Sequence, residues 1–191
     1  MSRVTSGYST SADMDFTIDL ANMGQSLNNW RMIESAFTRG TELGQEELAR
    51  RLKDEVLFNL QIYGLGGTSI GSTVNVVRLG KGMSVTVGSE YAIYVEYGTG
   101  IVGARESHPN PMAQGWVYDV NNHGEKGWMY PTTADDPNPQ KKMFNGQLYG
   151  WTRGMASRPF MYEAWRWAKA SANSIIGKSI RAEVKKCRGV R

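Results

Sequence analysis

The hydrophobic period of this chain switches from helical to extended over one short stretch, and that switch limits the fold more than any other feature. Leu48, Leu52, Val56, Leu60 and Tyr63 recur at steps of four and three, while Arg50, Arg51, Lys53, Asp54 and Glu55 fall mostly elsewhere. This spacing predicts an amphipathic helix over 46–63, its apolar face widened by Leu57 and Phe58. Gly64-Leu65-Gly66-Gly67 then breaks it, and the period drops to two. Met83, Val85 and Val87 alternate with Ser84 and Thr86, so 73–79 and 83–87 read as strands joined by a short loop at Gly80-Lys81-Gly82. In 92–97, Ile93, Val95 and Tyr97 alternate with Tyr94 and Glu96, which predicts a third strand stopped by Gly98 and Gly100. The expected class is α+β: a small antiparallel sheet packed against a long amphipathic helix and a C-terminal helix.

The flanks fill in this plan. Residues 1–24 are rich in Ser, Thr, Gly, Asp and Met without sustained periodicity, and read as a flexible arm. Leu27, Trp30, Ile33 and Phe37 predict a first helix, with a stop at Arg39-Gly40. At the other end, Ser157 suits an N-cap and Pro159 a first helical turn. Phe160, Ala164, Trp167, Ser171 and Ile175, with Ile176, Ile180 and Val184 beside them, predict a helix over 159–185 that Gly177 softens. Between lies 101–157, dense in Gly, Pro, Asn and aromatics, read as an extended loop or hairpin insertion. Strands are expected at 114–120 and 127–131. The division is thus an arm at 1–24, one α+β domain at 25–185 and a basic tail at 186–191.

Composition narrows the function. With 191 residues, 40% hydrophobic and 21% charged, the chain suits one globular domain. No apolar run reaches the roughly 18–20 residues of a membrane-spanning helix. The first ten residues lack the apolar core of a signal peptide, so the protein is expected to stay where it is made. Cys187 is the single cysteine, which excludes an internal disulfide and a multi-cysteine zinc site. Between Lys186 and Arg188 it is either an incidental cysteine or a thiol of lowered pKa. The net charge of +4 is concentrated at one end: Lys178, Arg181, Lys185, Lys186, Arg188 and Arg191 stand against one acid, Glu183. Such an end can approach phosphates or an acidic partner surface, or complement a helix dipole with no ligand.

Catalytic chemistry has little to stand on. His108 and His123 sit in loops near Glu106, Asp119 and Glu125, at spacings that match no metal motif. No Gly-x-Ser-x-Gly elbow occurs. Gly177-Lys178-Ser179 resembles the end of a phosphate-binding loop, but the glycine required five residues earlier is Ala172. Glu96 is the most suggestive acid. It lacks an identifiable acid or metal partner, which favours a structural carboxylate accepting backbone N–H groups of the following turn or pairing with an arginine. No enzyme, cofactor or metal is expected.

Two blocks carry a resemblance. Ala92-Ile-Tyr94-Val95-Glu96-Tyr97-Gly98-Thr99 resembles the signature Tyr-Ala-x-Tyr-Val-Glu-aromatic-Gly-Thr of the HK97 gp10-like family of tailed-bacteriophage proteins. Gly154 through Ala164, with Arg158-Pro159-Phe160-Met161 at its centre, is similar to the family's second hallmark. Gly115-Trp116-Val117-Tyr118-Asp119 and Gly124 through Pro131 lie between them in the family's order, so the similarity spans about residues 45–175.

The resemblance implies a non-enzymatic virion part at the neck, assembled in the host cytoplasm. Such proteins form rings, typically six-fold, that join the head connector or stopper protein to the tail terminator or tube and leave a channel for DNA. A closed ring needs heterologous contacts. Trp116, Tyr118, Trp128, Tyr130 and Trp151 are the candidate interface anchors, the alternative being a satellite core under their own loop. Lys178, Arg181, Lys185, Lys186 and Arg188 are the candidate DNA-proximal residues. A competing reading makes the chain a nucleic-acid-binding protein led by this basic helix, with affinity but no sequence preference.

Overall fold

The computed structural model describes residues 20–119, 122–123 and 126–188. Residues 1–19 of the expected arm and 189–191 of the tail lie outside them. The chain divides into two compact units, one from the residues up to Gly44 and from Ser174 onward, the other from Gln45–Asn173.

In the first unit, helix α1 (Leu20–Ile62) packs against the C-terminal part of helix α5 (Phe160–Arg188). The expected stop at Arg39-Gly40 does not occur, and Leu20–Gly24 already belong to α1. Gly40 and Gly44 sit inside the helix because α5 passes too close for a side chain. A Cβ at Gly40 would lie 2.6 Å from Ile180 Cα, and one at Gly44 2.7 Å from Ile176 Cα. These glycines mark a close helix crossing, not a terminus.

The second unit holds the core. Val56 and Leu60, from the predicted stripe of α1, are fully buried with Phe160 and Ala164 of α5. Ile70 of helix α2 (Ser69–Ser72), Val74, Ala92 and Val95 complete the cluster, and Leu52, Tyr63, Val85 and Val87 pack against it. Strands β1 (Val74–Leu79) and β2 (Gly82–Val87) form the expected antiparallel hairpin, with Val74 opposite Val87 and Leu79 opposite Gly82.

The third strand is absent: Ala92–Tyr97 is helix α3. Its buried residues are Ala92, Val95 and Glu96, the i, i+3, i+4 set of a helix face. Counting Glu96 as an outward polar residue turns that set into a false alternation. The hairpin therefore stands as a two-stranded sheet. Helix α4 (Gly100–Arg105) follows directly.

A second sheet has the order β3-β5-β4, from β3 (Trp128–Pro131), β4 (Lys141–Phe144) and β5 (Gln147–Thr152). The strand expected at 127–131 exists, but its partner is β5, with Trp128 opposite Thr152. Of the strand expected at 114–120, the described residues 114–119 form none. Pro111–Gly115 is a 3-10 helix whose first turn carries a proline, with the Asn110 side chain accepting from Met112 N–H. β4 and β5 turn at Asn145-Gly146, both at positive φ (46° and 80°), the type I′ signature. Strand β6 (Gly154–Met155) leads into α5.

Candidate functional site

The two sequence blocks meet in the second unit. Glu96 is buried in α3, and its carboxylate accepts Met161 N–H at 2.8 Å and Tyr162 N–H at 2.9 Å. These are first-turn donors of α5, which have no partner inside their own helix. A carboxylate there also meets the positive end of the helix dipole. Glu96 is thus a structural carboxylate bound to backbone N–H groups, of the helix 65 residues onward instead of the following turn.

His108 completes the node. Its Nδ1 accepts Asn110 N–H at 3.1 Å, so Nε2 bears the proton and donates to Glu96 Oε1 at 3.1 Å. The ring stacks on Tyr97 at 4.6 Å between centroids and meets the Tyr162 ring edge-on at 5.1 Å. The histidine that sequence offers as a loop ligand is a buried partner of Glu96. His123, by contrast, stacks on Trp128 at 5.9 Å.

Backbone contacts lock the same junction. Val95 O accepts Arg158 N–H at 2.9 Å, and Glu96 O accepts the Ser157 hydroxyl at 2.6 Å, so Ser157 is not the expected N-cap. Thr99 and Gly100 bridge to Met155 and Gly154. A Cβ at Gly154, where φ is 102°, would fall 1.9 Å from Thr99 O. The Gly-Thr-Gly of one block and the glycine of the other are required by mutual approach. Pro159 and Phe160 are buried beside them.

The aromatic candidates hold the 101–157 segment to its own unit. Trp116 stacks on Tyr97 at 5.0 Å and donates Nε1–H to Gly98 O at 3.0 Å. The Tyr118 hydroxyl accepts His108 N–H, and its carbonyl accepts Gly100 N–H at 2.7 Å. Tyr130 donates to Asp136 at 2.8 Å, and Asn138 bridges Tyr130 to Trp151 O. Hydrogen bonds from the Thr132 hydroxyl first, then Asn138 N–H and the Tyr130 hydroxyl, hold the Asp136 carboxyl below its usual range. Asp136 and Asn138 were missed at the sequence level, although Asp-Pro-Asn-Pro is a turn signal. Trp128 and Tyr130 also line an open cleft of about 560 Å³ with Tyr91, Tyr94 and Met155.

The first unit carries the charge and an apolar surface. Lys178, Arg181 and Lys185 are exposed on α5, and no ion pair of theirs falls among the described residues. Lys186 pairs with Glu183, which Arg39 also approaches at 3.6 Å. Arg188 ends the helix. On α1, the residues whose spacing predicted the first helix are open: Leu27 is 54%, Trp30 68% and Phe37 56% exposed.

Among the described residues no group of three or more His, Cys, Asp or Glu side chains is placed to hold a metal ion. No helix among them is long and apolar enough to cross a membrane. No family model, curated protein or solved structure matches the chain.

Proposed function

We propose that this chain is a structural, ring-forming subunit of a tailed-bacteriophage neck, joining the head connector to the tail around the DNA path. One observation carries the reading: the exposed aromatic and aliphatic stripe of α1. Leu27, Trp30, Ile33 and Phe37 lie along one broad face and stay exposed among the described residues. An apolar strip of this kind on a long helix marks an association surface. The Glu96 junction adds a rigid second unit built from both blocks that resemble the HK97 gp10-like family, and the node serves packing instead of turnover.

The test is assembly. Purified protein, alone and with its connector and tail partners, is expected to give closed rings by electron microscopy and one oligomeric mass by native mass spectrometry. Trp30→Ser with Phe37→Ser should abolish rings while leaving circular dichroism unchanged. A chain that stays monomeric with every partner overturns the proposal.

A second reading, non-specific DNA binding, is favoured by the exposed Lys178, Arg181 and Lys185 at steps of three and four on α5. It requires affinity that falls steeply with salt and weakens when all three become Gln. Within a ring the same face can lie toward the DNA channel, so the two readings are compatible.

A further inference from the structure

Strand β2 has one unprotected edge. It pairs only with β1, and no other backbone hydrogen bond from 83–87 occurs among the described residues. Its sequence, Gly-Met-Ser-Val-Thr-Val, contains no charge and no proline. Edges that proteins leave unpaired normally carry such protection. Beside it, within the second unit, opens a cleft of about 880 Å³ lined by Val85, Thr86, Ile93, Met112 and Trp165. Three of these are apolar and open to solvent: Ile93 at 48%, Met112 at 91% and Trp165 at 51%.

The chain contains a segment that matches both features. Although 1–24 as a whole has no sustained period, Asp13-Met14-Asp15-Phe16-Thr17-Ile18-Asp19 alternates strictly between polar and apolar residues. That is the pattern of a strand with one apolar and one acidic face. Seven residues extend about 23 Å, comparable to the six of β2. Charge agrees as well: no Lys or Arg occurs from Val4 to Trp30. Two charged side chains line the cleft, Lys169 and Glu96; Glu96 is buried and hydrogen-bonded, and Lys169 is exposed over the Trp165 ring at 5.2 Å.

We propose that residues 13–19 of one copy add as a strand to the free edge of β2 in a second copy, seating Met14, Phe16 and Ile18 in the cleft. Main-chain hydrogen bonds supply affinity and the alternate side chains supply register. The aspartates face outward, toward solvent and Lys169. The contact is heterologous, edge to arm, and so propagates around a closed ring. This inference rests on the reading of the chain as a self-assembling subunit.

Cross-linking between two different chains tests it. Full-length Thr17→Cys and Thr86→Cys proteins, each on the outward face and each with Cys187→Ser, are mixed and oxidised. Docking gives a disulfide-linked two-chain product, on the order of tenfold above a Thr17→Cys plus Asn75→Cys control, because contact raises the effective thiol concentration. Met14→Asp with Ile18→Asp should return the yield to control. A yield equal to the control overturns the proposal. Microscopy of the same samples separates the two claims: rings without the cross-link sink the arm contact alone, and linked pairs without rings sink the ring.

Discussion

Glu96 Oε1 accepts the backbone N–H of Tyr162 at 2.9 Å across 66 residues of sequence. One carboxylate thereby caps α5, accepts the Nε2–H of buried His108 and fixes α3. Glu96→Ala would leave Met161 N–H, Tyr162 N–H and His108 Nε2–H without an acceptor. The expected loss is about 3 kcal/mol. Glu96→Gln keeps one acceptor oxygen and should cost roughly half as much. Urea unfolding followed by tryptophan fluorescence reads both, and equal stability of Glu96→Ala and the parent would refute the capping role.

Helical glycines inside and outside the α1–α5 crossing should respond in opposite directions. Alanine improves a helix interior by about 1 kcal/mol relative to glycine. At Gly40 and Gly44 the new methyl meets Ile180 and Ile176 backbone, and overpacking costs about 1–3 kcal/mol. Gly40→Ala and Gly44→Ala should therefore destabilise the first unit. At Gly177 the nearest atom is the movable Arg181 Nη1 at 3.3 Å, so Gly177→Ala should stabilise. Thermal melts of the three variants give the signs directly.

The Asn145-Gly146 turn should be intolerant of side chains that disfavour positive φ. Gly146→Val places a β-branched residue at φ 80°, which costs at least about 1–2 kcal/mol. Hydrogen exchange is expected to show faster amides in β4 and β5, with the α1–α5 crossing unchanged. Unaltered protection in Lys141–Thr152 would contradict the assignment.

Tyr63 makes alkaline stability pH-dependent. Burial, then its hydrogen bond to Glu163 at 3.1 Å, pushes the phenol up to about 12. The folded value lies above the unfolded one, near 10. Its contribution is complete below pH 10 and disappears as the pH rises through about 12. Tyr63→Phe should flatten the stability curve over that window, and one fewer high-pH transition should appear in the ultraviolet titration of tyrosinate.

Some elements were legible because short-range signals agree. The stripe Leu48–Tyr63, the glycine-linked hairpin and the C-terminal helix each combine a clear period with a matching breaker or turn. The α+β class followed from them. The Asn145-Gly146 turn was equally legible, and its omission put a strand at 114–120 instead of at Gln147–Thr152. The candidate site was only half visible. Glu96 was marked as a structural carboxylate, but its partners Met161, Tyr162 and His108 were not, because nothing local to Glu96 specifies donors so far along the chain.

By itself the sequence determined where helical and extended periods lie and where the chain turns, since those depend on neighbours a few residues apart. Tertiary structure decided which way residues face and what a glycine is for. Glu96 turned inward because α5 offered unpaired N–H groups, which made Ala92–Tyr97 a helix. Gly40 and Gly44 became a helix crossing because α5 lay against them. Leu27, Trp30 and Phe37, spaced like a helix face, stay exposed among the described residues. Burial is a property of two surfaces, and a periodic pattern specifies only one.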